Sequence, residues 1–358
     1  MATAALAACQ GGNQGYQIEG TVEGAANGDY VYLQKVQGRD IIKLDSALIE
    51  DGAFTLKGTQ DTAAYRYLTF KNNTDQTSWV DFFLENGDIK VALTPTSSSA
   101  VGTANNDIYQ AIRNEINALN LKLQTGYQAL ADTTLTDEQR TAKIQELETI
   151  GQEQSEVVKK AIAANITNPV GVELLKQNFY NLSVEELDPL MSQIPAAYQN
   201  DPIIQRIQEN VTKMKATAVG QKFTDFAMKT PEGKDVKLSD FVGGKNKVVL
   251  VDFWASWCGP CRREMPNLVE AYKQYKKKGL EIVGVSLDRN ADDWKKAIKD
   301  LNITWPQMSD LKFWTCEGAQ LYAVSSIPHV VLIDAEGTIV ARGLHGEELQ
   351  NKLAELLK

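Results

Sequence analysis

Between Tyr16 and about Pro95 the apolar residues fall in short alternating runs, such as Val31/Leu33, Phe54/Leu56 and Ile89/Val91/Leu93, separated by Asn27-Gly28, Asp51-Gly52 and Asn86-Gly87. Alternation puts successive side chains on opposite faces of a strand, and Asn-Gly or Asp-Gly supplies the backbone of a tight turn. Residues 16–95 therefore predict hairpins that form a small antiparallel β domain, a sandwich or partly open barrel. Thr96 to Thr103, rich in Ser and Thr, reads as a flexible connector. The period then becomes helical, with Ile108, Ile112, Ile116, Leu119 and Leu123 at three- and four-residue steps. Thr136 with Gln139 and Ser183 with Glu186 have capping-box spacing, and Asp201-Pro202 is a further helix start. Residues 105–215 thus predict a helical bundle of four or five helices, whose apolar stripes are packing surface.

After a linker at 216–220, a hairpin-like stretch ends at Leu238-Ser-Asp-Phe241. Strands are then predicted near 248–254, 281–286, 329–333 and 338–342, and helices near 260–278, 291–300, 316–323 and 346–357. This alternation makes residues 220–358 an α/β domain with helices covering a sheet.

Charge narrows the function. The net charge is −9, and residues 1–215 hold 17 basic against 27 acidic side chains, whereas residues 216–358 hold 20 and 19. The acidic excess lies in the first part and argues against nucleic acid as a partner. Lys276-Lys277-Lys278 reads as a solvated helix end favoured by the C-terminal dipole. The opening Leu6-Ala7-Ala8-Cys9 has the form of a bacterial lipobox without the basic region and long apolar stretch of a full signal, so residues 1–15 are expected to be a signal remnant and linker, with Cys9 the lipidation site. The competing expectation is an alanine-rich terminus with an incidental cysteine.

The chemistry centres on Cys258-Gly259-Pro260-Cys261, directly after the apolar run Val248 to Trp254. The run predicts a buried strand, and Pro260 suits the first turn of a helix, which places Cys258 at the helix N-terminus. Orphan N–H groups and the positive end of the helix dipole stabilise a thiolate there, the reactive form of cysteine. Cys261, one turn on, is spaced to close a disulfide. The histidines, His329 and His345, lie far from this pair in sequence and no second C-x-x-C exists, so a metal site is not expected.

Further residues carry a family resemblance. Gly220 to Phe226, Gly233, Leu238 to Phe241, Val251 to Cys261, Arg263-Glu264-Met265-Pro266 and Val324-Ser-Ser-Ile-Pro328 with Ile333-Asp334 together resemble the thioredoxin-like fold, and within it the TlpA/ResA-like thiol-disulfide oxidoreductases, often described as redoxin or AhpC/TSA-like. The resemblance implies that Cys258 attacks a substrate disulfide and Cys261 resolves the mixed disulfide, with no cofactor beyond that redox pair. Gly259-Pro260 is the dipeptide of thioredoxin, whose potential is about −270 mV, and favours a reducing role. Asp252 matches a buried acid that takes the proton of the resolving thiol, although many TlpA-like proteins have Asn there. Glu264 matches an acid that tunes the thiols, Pro328 a cis-proline, and Ile327 the backbone beside Cys258 that pairs with an extended substrate. Trp257, Gly259 and Pro260 would form the contact surface. His329, where thioredoxins usually carry Thr, is expected to face solvent, the alternative being a charge that changes thiolate stability. Cys316 is expected to be a partly buried free cysteine outside the family pattern, the alternative being a third redox thiol.

These readings predict a periplasmic disulfide reductase, lipid-anchored to a membrane of the bacterial envelope. Its expected partners are disulfide-bearing envelope proteins and a membrane electron donor of the thiol-disulfide type. A disulfide isomerase and a peroxiredoxin-like enzyme are alternatives, although Ala255-Ser256-Trp257 lacks the Pro/Thr-rich loop of a peroxidatic cysteine. A binding lipoprotein that uses the thioredoxin-like part as scaffold is a third, which two intact cysteines disfavour.

Overall fold

The computed structural model describes residues 15–72 and 74–358, so the expectation for Cys9 lies outside the described residues. Strands β1 (Tyr16–Val22), β2 (Tyr30–Gln37), β3 (Asp40–Leu48), β4 (Ala53–Gly58), β5 (Ala64–Lys71), β6 (Thr77–Leu84), β7 (Gly87–Leu93) and β8 (Ser99–Val101) form two four-stranded sheets, ordered β4-β1-β7-β8 and β3-β2-β5-β6. Alternating side chains from both sheets, among them Ile18, Leu33, Leu68, Phe82 and Ile89, share one core. The three predicted turns exist, but each joins a strand of one sheet to a strand of the other. Asn27-Gly28 links β1 to β2, Asp51-Gly52 links β3 to β4, and Asn86-Gly87 links β6 to β7. At Asp51 and Gly52 both φ angles are positive, 51° and 73°, the tight reversal that Asp-Gly tolerates. β1 and β7, brought together by these corners, run parallel within otherwise antiparallel sheets. The connector at 96–103 corrects an expectation: Ser99–Val101 pairs with β7, with Val101 opposite Lys90, because Ala100 fills a core position on the sheet edge.

Helices α1 (Ala104–Leu130), α2 (Asp137–Asn165), α3 (Pro169–Asn178), α4 (Val184–Met191) and α5 (Pro202–Ala216) follow. Thr136 caps α2 with both bonds of the capping box, and Ser183 and Glu186 make the same reciprocal pair before α4. Gly126 of α1 lies so close to Leu147 of α2 that a β-carbon there would collide with it. The chain divides into two compact units, one of residues up to 182 with 189–201, the other of 183–188 with 202–358.

In the second unit a hairpin, β9 (Ala227–Lys229) and β10 (Asp235–Lys237), precedes β11 (Val248–Trp254), α6 (Gly259–Tyr275), β12 (Leu280–Ser286), α7 (Ala291–Asp300), β13 (Gln307–Met308), α8 (Glu317–Leu321), β14 (His329–Asp334), β15 (Ile339–Arg342) and α9 (Gly346–Leu356). The five-stranded sheet is ordered β13-β12-β11-β14-β15, with β12 parallel and β14 antiparallel to the central β11. All seven residues of β11 are buried, which explains why, Asp252 apart, it reads as a continuous apolar run rather than an alternating one. The two-residue β13 was not foreseen, being too short for any periodicity. No helix among the described residues is long and apolar enough to cross a membrane.

Candidate active site

The sheet register builds the site. Trp254, at the end of β11, pairs with Ser286 at the end of parallel β12, while Phe253 pairs with His329 at the start of antiparallel β14. The segment after β11, the segment after β12 and the segment before β14 therefore meet at one sheet edge. The first contains Cys258, the last Ile327-Pro328, and that peptide bond is cis.

Cys258 is the N-cap of α6, with Pro260 in the first turn. It is joined to Cys261 by a disulfide across Cα atoms 5.3 Å apart. The Cys258 Sγ accepts the Cys261 N–H at 3.1 Å and lies 3.7 Å from the Ile327 carbonyl oxygen. An N–H aimed at the sulfur is the local means of stabilising the thiolate once the disulfide is opened. Gly259 and Pro260 are exposed, and Ile327 and Pro328 half-buried, so backbone and small side chains rim the sulfur. Gly259 has space for a β-carbon, whose nearest neighbour would be the Arg263 Nη1 at 3.6 Å.

Asp252 is 1% exposed and its Oδ2 has no hydrogen-bond partner among the described residues. Burial, aided by the negative charge of Glu264, pushes its carboxyl from 3.8 up to about 7. An acid there can exchange a proton near neutral pH. Glu264 lies on α6, three residues beyond Cys261; its Oε1 accepts the Gly346 N–H at 3.1 Å and its Oε2 the Asn267 amide at 3.4 Å. The carboxylate thus also ties α6 to the start of α9.

His329 corrects the sequence expectation. It is half-buried beside Phe253, with ring centroids 6.4 Å apart, and its Nε2 is enclosed without a partner. Burial, reinforced by Arg342 and His345, lowers its pKa to about 4, so at neutral pH the ring carries no charge. The ring lies between Phe253 and Gly343, where a β-carbon would stand 3.7 Å from it, so it is enclosed by segments that the local sequence does not bring together. Cys316 is fully buried, and burial pushes its thiol up to about 11.

Several neighbours of the dithiol were not singled out from sequence. Asp288 accepts the Ser256 N–H at 3.0 Å, the Ser256 hydroxyl at 2.5 Å and the Ser286 hydroxyl at 2.8 Å, clamping the turn that leads to Cys258. The signal was available, since Ser256 and Asp288 each stand two residues beyond the paired ends Trp254 and Ser286 of adjacent parallel strands. Trp257 is 47% exposed and its ring packs beside Phe313 and Trp314 at centroid distances of 5.1 and 6.3 Å. The Arg289 guanidinium lies over Phe313 at 4.1 Å. Phe313 holds φ at 57°, a left-handed conformation that costs a bulky residue roughly 1–3 kcal/mol, and is kept there by these contacts.

The AhpC/TSA family matches residues 219–342, and a second family, described as Domain of unknown function (DUF4369), matches residues 16–109. The thiol-disulfide oxidoreductase ResA of Bacillus thuringiensis subsp. konkukian (strain 97-27) is 33% identical over 150 residues, 41% of this chain and 81% of that protein. The chain belongs to the ResA-like thiol-disulfide oxidoreductases. ResA of Geobacillus thermodenitrificans (strain NG80-2) is 34% identical over 36% of this chain and 70% of its own length. The thioredoxin domain of a thiol-disulfide oxidoreductase from Bacteroides vulgatus is 38% identical over 39% of this chain and 99% of that one, with a TM-score of 0.37. The ResA-like part is the α/β thioredoxin-like C-terminal domain, and this chain is an oxidoreductase enzyme.

Proposed function

We propose that this oxidoreductase works as a reductase of disulfides in proteins of the bacterial cell envelope, with Cys258 as the attacking thiol. The observation that carries the reading is the Cys258 Sγ, held at the start of α6 by the Cys261 N–H and 3.7 Å from the Ile327 carbonyl. In the reduced enzyme the Cys258 thiolate attacks one substrate sulfur. A mixed disulfide forms and the other substrate sulfur leaves as a thiolate. Asp252, with its carboxyl near neutrality, takes the proton of the Cys261 thiol, and the Cys261 sulfur then attacks the Cys258 Sγ. The intramolecular disulfide closes and the second substrate thiolate departs, so two electrons pass from the dithiol to the substrate. Glu264 raises the proton affinity of Asp252 by its charge.

Ile327 and cis-Pro328 receive an extended substrate by strand-like pairing, while Trp257, Gly259 and Pro260 form the contact face. The Gly259-Pro260 dipeptide supports the reducing direction. A lipid on Cys9 of Leu6-Ala7-Ala8-Cys9 would hold the enzyme at an envelope membrane facing the periplasm, and a membrane-bound thiol-disulfide donor would restore the dithiol.

Expression of Cys261→Ser in a bacterial envelope, followed by acid quenching and non-reducing electrophoresis, tests this. The expected result is a set of Cys258-linked mixed disulfides with envelope proteins. Absence of such adducts would overturn the proposed substrates, and conversion by the native enzyme of substrate dithiols rather than substrate disulfides in a redox-buffered assay would overturn the direction.

A further inference from the structure

A cavity of about 730 Å³ opens in the first unit, lined by residues of β6, α1, α2 and α3 and of the turn after α3. Its size is that of a small-molecule site. Ile112, Ile116, Val158 and Leu174 supply apolar wall, and Trp79, 52% exposed, flanks it. The ring of Tyr67 lies 6.4 Å from that of Trp79 and backs it.

The polar side of the cavity is organised around a buried carboxylate. Asp81, 7% exposed, accepts hydrogen bonds from the hydroxyls of Tyr65 and Tyr109 through Oδ2 and pairs through Oδ1 with the Arg113 Nη1 at 2.8 Å. Its backbone carbonyl also accepts from the Arg113 Nη1, at 3.2 Å. Both phenols are held protonated by burial and by the neighbouring acid. Asp81 is therefore occupied by donors of its own unit, and Arg113 is fixed in place by one nitrogen. The Arg113 Nε and Nη2 make no hydrogen bond to another described residue, although Arg113 lines the cavity with its side chain only 19% exposed. A guanidinium anchored on one side and open on the other has already lost its side-chain freedom, so receiving a two-oxygen anion costs little further order. Asn117, Ser155 and Asn181 add donors to the same lining. Asp81 is the one carboxylate among the described lining residues, in a part of the chain where acids outnumber bases.

We propose that this cavity binds a carboxylate carried on an apolar body, with the carboxylate on the open edge of Arg113 and the body against Trp79. Bidentate pairing of guanidinium with carboxylate is the strong, geometrically specific form of that contact. The assignment is independent of the redox chemistry, since every residue it uses lies in the first unit.

Isothermal titration of the full chain with N-acetylphenylalanine, N-acetylphenylalaninamide and N-acetylglucosamine tests it. The indole NMR signal of Trp79, the one tryptophan before residue 215, reports locally. The acid is expected to bind saturably and to shift the Trp79 signal, and its amide to bind at least about tenfold more weakly. Arg113→Gln should abolish binding. Because that change leaves buried Asp81 short of a partner, Asn117→Asp serves as a second variant. Asn117 is exposed and makes no bond that the fold depends on, and the added charge should weaken the acid about tenfold or more with the thermal midpoint unchanged. Equal affinity for acid and amide, no binding of the acid at millimolar concentration, indifference to Asn117→Asp, or binding of N-acetylglucosamine in its place would each overturn the proposal.

Discussion

Two cysteines of the second unit stand immediately before a helix, and their surroundings predict opposite chemistry for them. Cys258 precedes the 17-residue α6, retains 4% exposure and lies at a rim of exposed residues. Cys316 precedes the five-residue α8, is sealed at 0% exposure, and sits where α8 packs so closely on the segment entering β9 that a β-carbon on Gly318 would meet Phe226 at 2.8 Å. Amides of Ala319 and Gly318 pull the Cys316 thiol toward ionisation, yet desolvation outweighs them. A cysteine at a helix start is thus not enough for reactivity. The length of the dipole behind it and the access of water and substrate in front decide the outcome.

The sharpest break of that contrast is substitution. Cys258→Ser should abolish insulin-disulfide reduction while Cys316→Ser leaves it unchanged; loss of activity in the second variant would mean that the buried thiol takes part. Next comes alkylation of the reduced protein at pH 7. A thiol with a pKa of about 11 is ionised to only about one part in 10⁴, so Cys258 should react with iodoacetamide within minutes and Cys316 only after denaturation, as peptide mass spectrometry would read.

Asp252→Asn should slow turnover roughly a hundredfold near neutral pH, the usual scale of a lost proton acceptor, and remove a titration near pH 7 from the rate profile. The same variant makes a stability prediction. With the folded carboxyl raised from 3.8 to about 7, the folded state holds a proton that the unfolded state has released. Stability contributed by this group is therefore present below about pH 4 and is lost as pH rises to about 7, by up to about 4 kcal/mol. Urea unfolding of the oxidised protein across that window should show the fall in the parent and a flatter profile in Asp252→Asn. The smallest effect belongs to Trp257→Ala, which should lower kcat/KM for a protein substrate about fivefold through lost aromatic contact and leave the pH profile in place.

What the sequence disclosed follows the range of the forces involved. β11, α6 and the dithiol turn depend on local signals, an apolar run followed by Cys258 and Pro260, and all were legible. The turns at Asn27-Gly28, Asp51-Gly52 and Asn86-Gly87 were also legible as turns. Whether such a turn closes a hairpin or carries the chain to the opposite sheet depends on distant pairings such as β1 with β7, which no local pattern encodes. The burial of His329 and the cluster of Trp257, Phe313 and Trp314 were hidden for the same reason, since each is made by segments tens of residues apart. Asp81 gave no warning either: an acid within the apolar strand β6 becomes interpretable only when Tyr65, Tyr109 and Arg113 are seen around it.

The Ile327 carbonyl beside the Cys258 sulfur has a consequence for selectivity. A peptide group offers the same hydrogen bond to any partner whose own backbone is extended, whatever its side chains. Under the proposed strand-like pairing the redox centre would be a conformational filter, expected to admit cystines in loosened or not yet folded segments and to pass over those locked inside finished domains.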